Sequence, residues 1–263
     1  MGFSLLVMFT YNINPVLLNL GPLEIRYYGL LYVINAILAY FILKNLSKKG
    51  FVKITAEKIE DLLAYAVISG VIGARLFYIL FYNFKFYLQN PFEVIAVWHG
   101  GLSFHGGLFG ALIGVYYFSR KFNYKFLQLI DVMSIPLALA AGIGRLGNFI
   151  NGELIGRVTD VSWCFDFGDK LCRHPSQLYE SLYSFFIFFL LWKLKDKKMK
   201  TGVLFSLFVM LYSSLRFLTE FFRQPDSQIG FIFGLTLGQW LNMVMFVIGF
   251  FFYKTNKDIK GNK

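Results

Sequence analysis

At 263 residues, with 57% hydrophobic and 20% aromatic side chains, only 16% charged ones and a mean hydropathy of +0.56, the chain is too apolar for an ordinary soluble protein. Its net charge of +11 does not point to nucleic acid, because the Lys and Arg residues sit in short clusters between apolar spans and form no basic face. The composition is that of an all-α, polytopic integral membrane protein whose basic clusters are topology signals.

Met1–Leu20 lacks a basic n-region and a small-residue cleavage site and carries Asn12, Asn14 and Pro15, so no cleavable signal is expected. Leu23–Leu43 is predicted as the first span, its length matching the ~30 Å hydrocarbon thickness. Lys44, Lys48, Lys49 and Lys53 follow and place its end in the cytoplasm. Arg26-Tyr27-Tyr28-Gly29 opens it at the outer interface, where Tyr28 reads equally as a belt aromatic. The second span, about Ile59–Phe81, carries Gly70, Gly73 and Arg75, and Arg75 either snorkels or pairs with an anion. Phe92–Trp98 is too short and aromatic to span and reads as an interfacial or re-entrant arm.

His99-Gly100-Gly101-Leu102-Ser103-Phe104-His105-Gly106-Gly107-Leu108 opens the third span, which ends near Ser119. A histidine between glycines at a helix start suits proton transfer; the plainer reading is a His bonded to backbone at a span terminus. The fourth span, about Leu127–Ile150, carries the stretch of greatest interest at its outer end, Gly142–Gly156. It sets Arg145, Asn148, Asn151 and Glu153 among glycines, which are expected to let the chain break from helical geometry and expose N–H groups to an anion. A glycine-rich packing seam with a structural Arg–Glu pair is the competing reading. Cys164 and Cys172 share the loop Arg157–Arg173, either closing it as a lid or standing as free thiols. Neither has metal-ligand spacing, so no metal and no cofactor is assigned.

The fifth span starts at His174-Pro175-Ser176-Gln177-Leu178-Tyr179-Glu180, with Pro175 suited to the first helical position, and ends at the lysines from Lys193 to Lys200. The sixth runs from Gly202 to Phe222, and Arg216, Glu220 and Arg223 share one helical face. Gln224-Pro225-Asp226 breaks the chain, and Leu235–Tyr253 forms the seventh span, followed by Lys254, Lys257, Lys260 and Lys263. The inner segments hold seventeen Lys or Arg residues and the outer connections five, which sets the N-terminus out and the C-terminus in. The expected organisation is a single transmembrane domain over 1–263 with a small extracytoplasmic loop at about 151–176.

Tyr28, Arg75, His105, Arg145, Asn148, Glu153, His174, Arg216, Glu220 and Arg223 all fall at outer ends of spans. Three or four arginines with few carboxylates to neutralise them make a cationic pocket at headgroup depth, whose natural guest is a phospholipid phosphate. A transporter would more often place its polar site at the midplane between repeats, and the chain has no repeat.

Gly144-Arg145-Leu146-Gly147-Asn148-Phe149-Ile150-Asn151-Gly152-Glu153-Leu154-Ile155-Gly156 resembles the signature of the bacterial prolipoprotein diacylglyceryl transferase family. Ser103–Gly107, His174–Glu180 and Glu220–Asp226 resemble that family's other blocks in the same order. The resemblance runs from Tyr28-Gly29 to the last span, although the Arg157–Arg173 loop is short beside members with a larger extracytoplasmic head. It implies transfer of the diacylglyceryl group of phosphatidylglycerol to the lipobox cysteine of a prolipoprotein signal peptide, forming a thioether and releasing glycerol phosphate. The implied setting is the bacterial cytoplasmic (inner) membrane with the site on the periplasmic side. The implied partners are phosphatidylglycerol, signal peptides and membrane lipid, with no nucleic acid; a monomer is favoured.

On this reading Arg145 and Arg216 hold the phosphate as charge builds on it. His105, with an ordinary pKa of about 6.5, is the first choice of base and Glu220 its rival. Glu153 and Glu220 orient Arg145 and Arg216. The resemblance further implies hydrogen bonds from Asn148 and Tyr28 to the headgroup, while His174 meets either the glycerol end or the peptide. A headgroup enzyme attacking phosphorus would advertise paired aspartates for metal or a nucleophile with its base, and neither is found. A lipid-binding channel or flippase is the non-enzymatic alternative.

Overall fold

The computed structural model describes residues 9–20, 23–197, 199–225 and 231–258. Asp226, Lys198, Lys260 and Lys263, singled out above, lie outside the described residues, as does the segment before Phe9. The helices in chain order are α1 (Tyr27–Lys48), α2 (Ala56–Tyr82), α3 (Phe84–Gln89), α4 (Phe104–Lys121), α5 (Phe126–Ile150), α6 (Ser176–Leu194), α7 (Val203–Thr219) and α8 (Leu237–Asp258). Between them lie short strands: β1 (Phe9–Thr10), β2 (Val16–Leu20), β3 (Leu23–Arg26), β4 (Phe165–Asp166), β5 (Phe231–Ile232) and β6 (Leu235–Thr236). Helices α1, α2, α5 and α8 are long and apolar enough to cross a membrane, and α7 is a shorter apolar helix. Glycines dilute α4, and a stripe of serines dilutes α6.

Two expected boundaries move for local reasons. Leu23–Arg26 is not helical: it pairs antiparallel with β2, and the Tyr27 N–H donates to the Pro15 carbonyl at 3.1 Å, so α1 begins at Tyr27. Pro175 is the N-cap and not the first helical residue, because its ψ of 66° leaves Ser176 to start α6. The break from helical geometry expected at Gly142, Gly144 and Gly147 does not occur. α5 stays helical to Ile150, and the chain turns only at Gly152, with φ +65°. The glycines serve packing instead: a Cβ on Gly142 would lie 2.5 Å from the Phe185 ring and one on Gly147 2.8 Å from the Tyr28 ring.

The chain forms two compact units, Tyr40–Met133 and Met1–Ala39 with Ser134–Lys263. In the unit Tyr40–Met133, Thr55 caps α2 by accepting the Lys58 N–H, Ser103 caps α4 by accepting that of Gly106, and α2 packs directly on α4. Gly70 and Gly73 face Gly106, Gly107 and Gly110, so two backbones meet where side chains would normally intervene. A Cβ on Gly73 would stand 2.5 Å from the Gly106 carbonyl oxygen and 2.7 Å from Gly110 Cα. Gly73→Val is therefore expected to lower stability by about 1–3 kcal/mol, as overpacking does. The thermal unfolding midpoint of the detergent-solubilised protein checks this, with Gly29→Ala as control because Gly29 has nothing within 4 Å.

The expected arm forms no long helix. Phe92–Trp98 lies in two 3-10 turns, Pro91–Val94 and Val97–His99, with Phe92, Ile95 and Trp98 exposed, and α3 precedes them in the connection from α2. Arg75, buried on α2, ties it down. Its Nε donates to the Val94 carbonyl (3.0 Å), Nη1 to those of Gly100 and Gly101 (3.1 Å), and Nη2 to those of Glu93 and Ala96 (3.0 Å). All five donors of the guanidinium thus meet backbone oxygen.

In the other unit α6 packs on α7 and α7 on α8. Gly202, at φ +93°, supplies the left-handed turn that starts α7. Cys164 and Cys172 are joined as a disulfide, so the free-thiol reading of the loop does not hold. β1 runs parallel to β4 of that loop.

Candidate active site

Three guanidiniums and two carboxylates from α5, α6, α7 and the turn that follows α7 form one chain of contacts. Arg145 Nε meets Glu180 Oε2 at 2.8 Å, and Glu180 Oε1 lies 3.5 Å from Arg216 Nη1. The same Nη1 reaches Glu220 Oε2 at 2.5 Å, and Arg223 Nη1 stands 3.8 Å from that oxygen. Arg216 in the last turn of α7 and Glu220 at its C-cap are one turn apart, but α7 ends at Thr219, so Arg223 is placed by a turn and a β-bridge to Gly156 and not by the helical face its spacing predicts; Glu180 on the neighbouring helix closes the chain. Three positive groups share two negative ones, which leaves one positive charge in excess.

Exposure decides which sign the site presents. The carboxylates of Glu180 and Glu220 are sealed, at 2% and 4% side-chain exposure, while Arg145 keeps 17%, Arg216 10% and Arg223 11%. A ligand therefore meets guanidinium and not carboxylate. Arg145 also hydrogen-bonds the Tyr212 hydroxyl, one turn before Arg216 on α7. Its Nη1 donates to Asn148 Oδ1 at 3.3 Å, and Asn148 Nδ2 donates to Glu153 Oε1 at 2.9 Å. Glu153 thus reaches Arg145 through Asn148, and Glu180 is the carboxylate that contacts Arg145 directly.

Glu180 was not among the residues selected from the sequence. Its signal is a polar stripe at helical spacing in an aromatic helix: Ser176, Gln177, Glu180, Ser181 and Ser184 are all buried. The stripe also fixes the Gly142–Gly156 stretch. Ser181 Oγ donates to the Gly142 carbonyl (2.9 Å), Gln177 Nε2 to that of Glu153 (2.6 Å) and Ser176 Oγ to that of Leu154 (3.1 Å). Beyond it, the Gly156 N–H donates to the His174 carbonyl at 3.0 Å, and a Cβ on Gly156 would lie 2.6 Å from the His174 Cβ.

A second unselected residue, Thr236, holds Glu220. Thr236 Oγ1 donates to Glu220 Oε1 at 3.1 Å and accepts from the Gln239 N–H at 3.2 Å, while Gln239 Oε1 accepts the Thr236 N–H at 3.0 Å. This is a capping box at the start of α8. Glu220 therefore lies against the positive end of a helix as well as two arginines, with both oxygens engaged.

At the edge of the site Trp163 Nε1 donates to the Tyr179 hydroxyl (2.7 Å), and the same hydroxyl is hydrogen-bonded to His174 Nδ1 (3.1 Å). Burial holds the His174 pKa below the ordinary histidine value, the Asp160 carboxylate pulling the other way. The unfolded chain then binds the proton more readily, so stability is full above about pH 6.5 and falls as pH drops through the lowered folded-state value. His174→Gln is expected to flatten the decline in unfolding midpoint between neutral pH and about pH 5.

The Tyr28 ring lies against Gly147, and its hydroxyl accepts from Tyr32 at 2.9 Å. Of the sequence-selected residues the structure brings together Arg145, Asn148, Glu153, Arg216, Glu220 and Arg223, with His174 and Tyr28 in the same unit. Arg75 and His105 belong to the unit Tyr40–Met133: Arg75 is committed to the arm, and His105 is half-buried in the first turn of α4. Among the described residues no three His, Cys, Asp or Glu side chains stand together as a metal-binding group.

A sequence model of one family, described as prolipoprotein diacylglyceryl transferase, matches residues 15–255. Among curated proteins, the phosphatidylglycerol–prolipoprotein diacylglyceryl transferase of Geobacter sulfurreducens is 43% identical, over 90% of this chain and 93% of its own. Proteins of the same name from Bordetella parapertussis and Legionella pneumophila (strain Lens) are 45% and 43% identical, covering 90% and 92% of this chain and 93% and 97% of theirs.

Proposed function

Because the chain belongs to the prolipoprotein diacylglyceryl transferase family, we propose that it moves the diacylglyceryl group of phosphatidylglycerol onto the thiol of a lipobox cysteine in a prolipoprotein signal peptide. The observation that carries this reading is the sealed pair of carboxylates behind three partly accessible guanidiniums. Such a face grips a phosphate and strengthens its grip as that phosphate gains charge.

The chemistry is displacement at a glycerol carbon. The substrate's sulfur bonds to that carbon while the bond from carbon to phosphate oxygen breaks. The electron pair departs on the oxygen as glycerol phosphate, and the thiol proton passes to a base. Arg145 and Arg216 hold the phosphate, and Arg223 adds to the field. Glu180 and Glu220 fix the guanidiniums, and Asn148 with Glu153 positions Arg145 from its other side. Tyr28, accepting from Tyr32, keeps its own proton for the headgroup. His105 is proposed as the base on its chemistry, an imidazole at the start of α4. Arg75 serves by holding the arm.

The proposed topology is seven spans, with α4, α6 and α7 joining the four long apolar helices, N-terminus out and C-terminus in. The seventeen-to-five distribution of Lys and Arg supports it, as does a disulfide in a loop assigned to the oxidising side. The site then faces the periplasmic side of the cytoplasmic membrane.

The test is incubation of the purified protein with phosphatidylglycerol and a lipobox peptide, reading the peptide's mass, with a Cys→Ser peptide as control. A gain of one diacylglyceryl group is expected. A phosphatidyl product, or lipid movement with no covalent product, would overturn the reading. Because the nucleophile belongs to the substrate, the Cys164→Ser/Cys172→Ser double variant is expected to keep transfer in protein that folds.

A further inference from the structure

Tyr183 sits on α6 one turn after Glu180, buried at 7% exposure, with its ring 5.9 Å from that of Tyr212. It is in electrostatic reach of Arg145, Arg216 and Glu180. Tyr212 spends its hydroxyl on Arg145, yet the Tyr183 hydroxyl has no hydrogen-bond partner among the described residues. An unsatisfied buried hydroxyl is a net cost to the fold, and phenylalanine would fill the same space without it. The ring also lines an open apolar groove of about 460 Å³ between α6 and α7, together with Leu215 and the exposed Leu182, Phe186, Leu218 and Phe222. A donor kept at a loss, at the junction of an open apolar groove and a cationic cluster, matches a ligand that is anionic at one end and hydrocarbon at the other.

We infer that the Tyr183 hydroxyl donates to a phosphate oxygen of the bound phospholipid, beside Arg145 and Arg216. The inference rests on the phosphatidylglycerol reading above and adds a substrate-binding residue to it. The donor acts on the oxygen where charge grows as the carbon–oxygen bond breaks, so its loss affects turnover more than affinity.

The experiment compares wild type and Tyr183→Phe, full-length in detergent, in kcat and KM for phosphatidylglycerol with a lipobox peptide. It also compares their thermal midpoints with and without phosphatidylglycerol. Expected for Tyr183→Phe are a kcat lower by about tenfold, a smaller change in KM, and a ligand-free midpoint equal to or above that of wild type. Wild-type kcat in Tyr183→Phe overturns the inference. So does a lower ligand-free midpoint, which would show the hydroxyl serving the fold. If wild type itself leaves the peptide unmodified, the transferase reading has failed. The rise in midpoint caused by phosphatidylglycerol then decides: smaller in Tyr183→Phe supports the inference, equal in both overturns it.

Discussion

Glu180→Gln is expected to cut diacylglyceryl transfer by about a hundredfold and to destabilise the fold by about 3 kcal/mol or more. The substitution keeps shape and removes charge. Glu180 contacts two guanidiniums, at 2.8 Å and 3.5 Å, and is almost wholly sealed, so water cannot replace it. Its loss leaves three largely enclosed cations against one carboxylate and releases Arg145 from the contact that aims it. Transfer to a lipobox peptide at saturating phosphatidylglycerol, measured beside the unfolding midpoint, checks both halves. Full turnover in a normally inserted Glu180→Gln protein would remove this residue from the site. Glu153→Gln is expected to cost less, because Glu153 acts through Asn148.

Arg216→Lys is expected to lose about two orders of magnitude in transfer, close to the loss in Arg216→Ala. The Arg216 guanidinium contacts Glu180 and Glu220 through Nη1, and the proposed role asks the same fork to grip a phosphate as well. A lysine ammonium is a single point on a flexible stem and cannot satisfy two carboxylates and a phosphate with that geometry. If Arg216→Lys retains turnover within about threefold of wild type, charge alone suffices and the bidentate role is wrong.

What local pattern encodes was legible in the sequence. Composition and the placement of lysines marked the apolar spans, and the spacing of Arg216 and Glu220 gave their ion pair, although the helix ends before Arg223 and a β-bridge to Gly156 places that residue. What depends on a neighbour was not. Glu153 is five residues from Asn148 and reads as the partner of Arg145, but Glu180, far along the chain, takes that place because α6 packs its polar stripe toward α5. Gly142 and Gly147 read as sites of backbone exposure; the rings of Phe185 and Tyr28, which sequence alone does not place there, turn them into packing positions. Arg75 reads as a cation that either snorkels or pairs with an anion, but backbone carbonyls satisfy it, and carbonyls carry no signature in the sequence.

The short strand β1 bears on how this protein can be handled. The Phe9 N–H donates to the Cys164 carbonyl at 3.1 Å and the Tyr11 N–H to that of Asp166 at 2.9 Å, while the Tyr11 hydroxyl reaches the Ile150 carbonyl at the end of the helix that carries Arg145. All of these donors precede residue 15, where the match to the family begins. An expression clone trimmed to the homologous region would discard a brace of the helix that carries Arg145 while looking complete by alignment, so purification tags belong at the other terminus.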